Sequence, residues 1–248
     1  MARMISVLIL ALLAMSPLAA QIIVQPAGKS VPQAKTREEL DAFGMVLDAD
    51  SPQSTLVAAA RFRELFAKSE FYEYACVAQM QAAMQLSKVK LAEETASAVL
   101  ALNPNNPEAL LTLAETSLPG LAAGEAETTA ASQYAHRALD RIHVLSLPPF
   151  NDSVTWLRTK RSMLARAHLV LGQVSAEQGQ LKNAESELQT AVDLAPSGKA
   201  YLLLSKIYAE TNQTGRALTA ARKALSLGPA AVAEMADREI KILDKKNP

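Results

Sequence analysis

The sequence predicts an all-α chain of stacked helical hairpins, and three observations carry that prediction. Half of the 248 residues are apolar, but only 4 % are aromatic, and Ala and Leu dominate the apolar half. Closely packed helices use such a mixture, whereas sheets draw on β-branched and aromatic side chains. The prolines fall between helical segments rather than inside them. The chain also repeats itself: a shift of 33 residues carries Leu171 onto Leu204, Gly172 onto Ser205, Gly179 onto Asn212, Ala184 onto Ala217, Ala191 onto Ala224 and Pro196 onto Pro229.

Residues 1–20 read as a signal peptide. Arg3 gives a positive start, Ile5 to Met15 form an apolar run broken only by Ser6, and Ser16-Pro17 end it. Leu18-Ala19-Ala20 then offer a small-residue cleavage site before Gln21. The rival reading is an uncleaved anchor, because Ile22-Ile23-Val24 extend the apolar stretch towards the ~20 residues that span a bilayer. Pro17 and Gln21 interrupt that longer stretch, and no cysteine follows it to carry a lipid. Residues 21–35, with Pro26, Gly28, Ser30 and Pro32 and no periodicity, predict a flexible leader. Its Ala27-Gly28-Lys29-Ser30 is not a phosphate-binding loop, which needs a glycine where Ile23 stands and a strand before it.

From residue 36 onward each segment is a helical hairpin of similar length. A weak copy spans about 36–69, where Phe62-Arg63-Glu64-Leu65-Phe66 resembles the end of a second helix. A further copy spans 73–106 and ends in Asn103-Pro104. The unit at 107–145 begins with Pro107-Glu108-Ala109-Leu110 and carries an insert, Pro119–Gly124, before its second helix resumes near Ala131. The unit at 152–197 has a first helix extended backward through Asp152–Leu164 to about seven turns, with Asn151 or Asp152 as its cap. The unit at 198–230 has Asn212 in the turn. A last helix at 231–245 turns Val232, Met235, Ile240 and Leu243 towards the stack and charges outward.

Packing explains the residue types. Antiparallel helices approach to about 8–10 Å only where small side chains occupy the crossings. Gly172, Ser205 and Ala114 are the expected small residues of first helices, and Ala92, Ala131, Ala184 and Ala217 those of second helices. Pro104, Pro196 and Pro229 follow helix ends because proline cannot continue a helix.

At these residues the chain resembles the tetratricopeptide repeat, a helix–turn–helix of about 34 residues. The unit 165–196 matches its pattern closely, and 198–229 matches well with Asn212 in place of the turn glycine. The unit 73–104 matches fairly, with Met80 where a small residue is usual and Val89-Lys90 in a turn lacking glycine, and the likeness covers most of residues 36–230. It implies a right-handed αα superhelix of four to five hairpins plus a capping helix. It also implies that first helices line a concave groove that takes peptides or partner helices. By alignment that groove presents Tyr74, Val77, Gln81 and Gln85, then Glu108, Leu111 and Glu115, then Arg166, Leu169, Gln173 and Glu177, and finally Lys199, Leu202 and Lys206. The Lys/Asn arrangement by which co-chaperone members hold a C-terminal carboxylate is missing. Leu169→Glu with Leu202→Glu is expected to abolish partner capture and leave the chain helical.

The sequence offers little chemistry. No H-E-x-x-H, C-x-x-C, G-x-S-x-G or G-x-G-x-x-G occurs. His136 and His143 share a helix face, but two histidines without a third ligand make a weak metal site, and His168 reads as a satisfied boundary residue. Cys76, the single cysteine, sits among Ala75, Val77 and Met80 and reads as a small buried hydrophobe. Trp156 is expected to pack the long helix against the preceding insert. The basic run Arg158, Lys160, Arg161 and Arg166 is expected to be a solvated face rather than a binding patch. An active site within 119–149 would have His136, Asp140 and His143 but no nucleophile or ligand set. Lys plus Arg equals Asp plus Glu at 25 each, a balance that argues against a nucleic-acid binder.

The expected function is therefore a non-enzymatic interaction scaffold, without cofactor or metal, exported to a periplasm or secreted. Its partner is a protein or peptide. The alternative is a membrane-tethered assembly factor held by an uncleaved N-terminus; contact with a membrane is expected only in that case.

Overall fold

The computed structural model describes residues 32–118, 125–147 and 152–246. The expected signal peptide at residues 1–20, most of the expected leader and the Pro119–Gly124 insert lie outside the described residues. Among those described there are eleven helices and no strand: α1 Arg37–Leu47, α2 Pro52–Leu65, α3 Tyr72–Gln85, α4 Val89–Leu102, α5 Pro107–Thr116, α6 Glu125–His143, α7 Ser153–Glu177, α8 Leu181–Leu194, α9 Gly198–Glu210, α10 Thr214–Leu227 and α11 Ala230–Lys246.

Local chemistry sets where the helices begin and end. Thr36, Ser51, Asn106, Asp152 and Ser197 stand in extended conformation before α1, α2, α5, α7 and α9, and each side chain accepts the amide of the residue three further on. Helices α4, α8 and α10 lack such caps. They follow directly from a tight turn that closes the helix before. At that turn Ser87, Gly179 and Asn212 adopt positive φ of 55°, 70° and 58°. Around each, a long bond closes the turn: Lys88 to the Ala83 carbonyl, Gln180 to Ser175 and Gln213 to Tyr208, all at 2.8 Å. This is a Schellman closure used three times, and the left-handed residue is what it requires. In the first of these hairpins the left-handed residue is Ser87, where glycine or asparagine is usual.

The hairpins stack in order. Each second helix packs on the first helix of the next unit, α2 on α3, α4 on α5, α6 on α7, α8 on α9 and α10 on α11. Successive first helices also touch: α3 with α5, α5 with α7, α7 with α9 and α9 with α11. Ala92, Ala131, Ala184, Ala217 and Ala114 are all fully buried. Gly172 lies so near α8 that a methyl on it would stand 2.7 Å from Leu188 Cγ. Ser205 meets the same constraint with a hydroxyl that donates to the Ala217 carbonyl at 2.9 Å, so its burial leaves no unpaired polar group.

The first hairpin uses different material. Phe43 stacks on Phe71 at 4.4 Å and meets Phe62 edge-on at 5.5 Å, and Phe62 tilts against Phe66 at 5.2 Å. Four of the five phenylalanines therefore build one core, which explains why residues 36–69 match the repeat weakly. Met80, where a small residue is usual, fills the space between Val77, Ala96 and Val99. Trp156 packs beneath α5 and α6, against Leu110, Leu111, Ala138 and Ile142. On α11 the buried residues are Ala236 and Leu243, whereas Met235, expected to face the stack, is 44 % exposed; the helix turns its alanine to the close contact with α9 and α10.

Candidate functional site

Helices α3, α5, α7 and α9 form the inner row of the stack, and the expected groove residues lie on them. Gln85 on α3 and Lys199 on α9 are exposed. Tyr74, Gln81, Glu115, Arg166, Leu169, Glu177 and Lys206 are half-buried, and Glu108 and Gln173 are buried. Three positions do not belong to a surface at all. Val77 lies in the core with Cys76 and Met80, Leu111 with Leu110 and Trp156, and Leu202 with Ala224 and Ala236. The reason is that a first helix is enclosed by its own second helix, by the second helix before it and by the neighbouring first helices. In α5, Pro107 to Thr112 and Ala114 are all buried. Substituting Leu202 by Glu would thus place a charge in the core, and a loss of capture in the Leu169/Leu202 variant would report unfolding.

At the centre of the row three of the expected residues come together. Arg166 on α7 donates from Nε to Glu115 Oε1 at 2.7 Å and from Nη2 to Glu115 Oε2 at 2.9 Å. Its Nη1 donates to Glu108 Oε2 at 2.7 Å. The guanidinium grips one carboxylate side-on and the other end-on, a geometry open to arginine and not to lysine. Side-chain exposure falls from 29 % at Arg166 to 19 % at Glu115 and 5 % at Glu108. Burial opposes the charge on Arg166, but the Glu115 and Glu108 carboxylates outweigh it and hold the guanidinium protonated above its ordinary range. The cluster ties α5 to α7 across the groove and gives that stretch of surface one net negative charge.

The basic run is largely consumed by the fold. Lys160 Nζ donates to the His143 and Leu145 carbonyls at 3.0 and 3.1 Å. Arg161 donates to the Leu194 and Asp193 carbonyls at 3.1 and 2.9 Å, capping the C-terminus of α8. With Arg166 engaged by acids, Arg158 is exposed, and among the described residues it has no such partner. His168 Nδ1 meets Glu187 Oε2 at 2.7 Å and links α7 to α8. His136 and His143 are exposed on α6.

Two surface features carry no signal in the repeat pattern. A slot of about 550 Å³ between α8 and α10, floored by α9, contains Tyr201 and Tyr208. The Lys223 ammonium sits 4.9 Å above the first ring and the Arg216 guanidinium 4.0 Å above the second. Arg216 also donates to the Tyr208 hydroxyl at 2.7 Å and pairs with Glu185 at 2.8 Å. Burial foremost raises the Tyr208 phenol above its usual value. The signal for this slot is the seven-residue spacing of both pairs, which puts each on one helix face. The second feature is an apolar groove at the α1–α2 end of the stack.

Comparison with known proteins follows the same architecture. The family described as tetratricopeptide repeat matches residues 165–197 and 198–230. No curated protein matches the chain in sequence. Among solved structures, the assembly chaperone of RpL4 (Acl4, residues 1–338) is 17 % identical, with 84 % of each chain covered and a TM-score of 0.56. PilW, a widely conserved type IV pilus biogenesis factor, is 15 % identical over 85 % of this chain and 92 % of its own, with a TM-score of 0.53. The MamA RS-1 ArsTM double mutant is 17 % identical over 78 % of this chain and 96 % of its own, with a TM-score of 0.52. At these identities the likeness is one of fold. Residues 165–230 match the tetratricopeptide repeat, and the other described helices pair into hairpins of the same kind, so the chain shares the tetratricopeptide-type helical fold.

Proposed function

We propose that this protein is a non-enzymatic interaction scaffold, exported through the signal peptide at residues 1–20, that holds peptide or helical segments of a partner protein in its concave face. The observation that carries the reading is the inner row itself. The first helices α5 and α7 are locked together by Arg166, Glu108 and Glu115, and the row presents polar side chains at Gln85, Glu177, Lys199 and Lys206 around half-buried Leu169. A rigid, pre-ordered surface of this kind loses little entropy when it takes up an extended or helical segment. Fold likeness alone does not define a partner, so the reading stands on these side chains.

A photo-crosslinking amino acid at Gln85, Leu169 or Lys206, compared with one at Arg222 on the outer row, tests it in the compartment where the protein resides. Adducts to a partner protein from the inner positions only are the expected outcome. Equal labelling from Arg222 sinks the groove assignment. Intact mass of the recovered chain reads the N-terminus in the same experiment: a start at Gln21 supports export with cleavage, and retained residues 1–20 replace it with the tethered reading.

A further inference from the structure

The two ends of the stack are finished differently. At the C-terminal end α11 lies across α10 and α9 with Ala236 and Leu243 buried. At the N-terminal end, among the described residues, no helix lies across α1 and α2. Every later first helix is covered by the second helix before it; among the described residues α1 has none. What this leaves is a groove of about 770 Å³ between α1 and α2, walled by apolar side chains that include Met45, Val57, Leu65 and Phe66. Met45, Val57 and Leu65 are 54 %, 57 % and 58 % exposed. Its rim carries Glu38 and Asp41 on α1 and Gln53, Ser54 and Arg61 on α2, but the apolar strip between them is uncovered among the described residues, where a repeat stack needs a polar or covered end to stay soluble.

The chain supplies a segment of matching chemistry. The described residues start at Pro32, which is buried. The Gln33 amide donates to Glu70 Oε2 at 2.9 Å and Lys35 Nζ to the Lys68 carbonyl at 3.3 Å. The chain before Pro32 therefore departs beside the α2–α3 turn, at the Leu65–Phe66 end of the groove. Eight to ten residues upstream of Pro32 stand Val24, Ile23 and Ile22, with Lys29 between. An extended chain covers about 3.3–3.6 Å per residue, so the triplet reaches roughly 26–36 Å. The 14-residue α2 is only about 21 Å long at 1.5 Å per residue. The triplet can thus lie anywhere along the groove, and Lys29 can face Glu38 and Asp41.

We infer that residues 21–31 of this chain fold back over the α1–α2 face, with Ile22, Ile23 and Val24 in the groove, and cap the N-terminal end of the stack. Cleavage after Ala20 and retention of the N-terminus both leave this segment in place, so the inference stands apart from the reading of the signal. It also stands apart from the concave face, which lies on other helices.

Disulfide trapping in the full exported chain tests it. In a Cys76→Ala background, Ile23→Cys is combined with Val57→Cys, an exposed position in the groove, and the pair is compared with the same pair carrying Ile22→Ser and Val24→Ser. A docked segment has a higher effective concentration at its site than a tether of equal length that merely visits, so the pair should close within one chain roughly tenfold faster with Ile22 and Val24 in place than with serine there. Equal rates overturn the inference. Disulfides between chains, rising with protein concentration, overturn it in favour of a second copy in the groove. A second measurement leaves the helices untouched: replacing Ile22, Ile23 and Val24 together by Ser should raise binding of a hydrophobic dye severalfold. Dye binding equal to that of the parent chain overturns the inference as well.

Discussion

Gly198, the first residue of α9, lies against Gly228, the residue that closes α10: a methyl built on Gly198 would stand 2.3 Å from the Gly228 Cα and 2.6 Å from its nitrogen. Backbone meets backbone there, so no side chain can swing aside. Gly198→Ala must shift one helix against another, and overpacking of this kind costs about 1–3 kcal/mol or more. Gly44 inside α1 makes the control, because a methyl there meets nothing within 4 Å. Gly44→Ala should stabilise by about 1 kcal/mol from helix propensity alone. Urea midpoints moving in opposite directions for the two variants are the expected result.

The hairpin turns make a second contrast. Ser87 adopts a left-handed φ of 55° that costs a residue with a Cβ about 1–2 kcal/mol. Ser87→Gly removes that strain but frees the unfolded chain, leaving a net gain of about 0.5–1 kcal/mol. At the equivalent turn Gly179, with φ of 70°, has open space around its Cα. Gly179→Ala should therefore lose about 1 kcal/mol through conformation alone. Thermal denaturation of the pair checks this, and a loss at Ser87→Gly would mean that the Ser87 side chain contributes more than its backbone costs.

These turns also show what the sequence could tell. The period of 33 was readable from Gly172, Ala184 and Pro196 because α7 to α10 use small residues where helices cross. It faded in the first hairpin because Phe43, Phe62 and Phe71 fill that space with rings, and a different core leaves a different pattern. The groove was harder. Alignment places residues on the inner row but cannot say which stripe of a nearly enclosed helix meets water, so Val77, Leu111 and Leu202 were drawn outward although they pack inward. The Arg166–Glu108 pair, 58 residues apart, depends on how neighbouring units stack, which spacing within one unit does not encode. The apolar end at α1–α2 was invisible because it depends on which helices, among the described residues, lie beside that face, and no pattern within one unit encodes this.

Cys76 is fully buried in α3, and burial foremost pushes its thiol above the ordinary value. The thiolate is the reactive form. The native chain should thus resist alkylation at pH 8 and react stoichiometrically only through the denaturant transition. Labelling at native rates comparable to a free thiol would show that α3 opens on its own. Cys76→Ala should fold normally, whereas Cys76→Ser should cost about 1–3 kcal/mol by burying a hydroxyl.

Glu39 gives the first hairpin an acid-sensitive tie. Burial works to raise its pKa, but hydrogen bonding, with the Lys35 amide donating to Oε2 at 2.5 Å, outweighs it and leaves the carboxyl below its ordinary 4.5. A lowered native pKa means that the stabilisation is fully present above the unfolded value and is lost as the pH falls through the native one. Glu39→Gln should therefore be less stable than the parent at pH 7, with the gap closing below about pH 4. Urea titrations at several pH values measure it; a gap that persists at acid pH would assign the effect to shape rather than charge.

The Arg166 cluster is the point where fold and candidate site coincide, and its test separates the two. Arg166→Met strips the counter-charge from Glu108, which keeps 5 % exposure. An uncompensated carboxylate that deep costs about 3–5 kcal/mol when its partner is removed. Arg166→Lys should recover only part of this, because an ammonium cannot hold Glu115 side-on and reach Glu108 together. Adding Glu108→Leu to Arg166→Met removes the orphaned charge, so the double variant should be more stable than Arg166→Met alone, with a coupling of about 0.5–3 kcal/mol. Exposed ion pairs fade within a few tenths molar salt, but this one is shielded from the ions and should keep its contribution at high ionic strength. If 1 M salt, where the screening length falls to about 3 Å, erases the difference between parent and Arg166→Met, the cluster is a surface pair that does not lock α5 to α7. Retention of the difference together with loss of partner adducts in Arg166→Lys, at unchanged helix content, would show that the same guanidinium both orders the inner row and shapes what binds there.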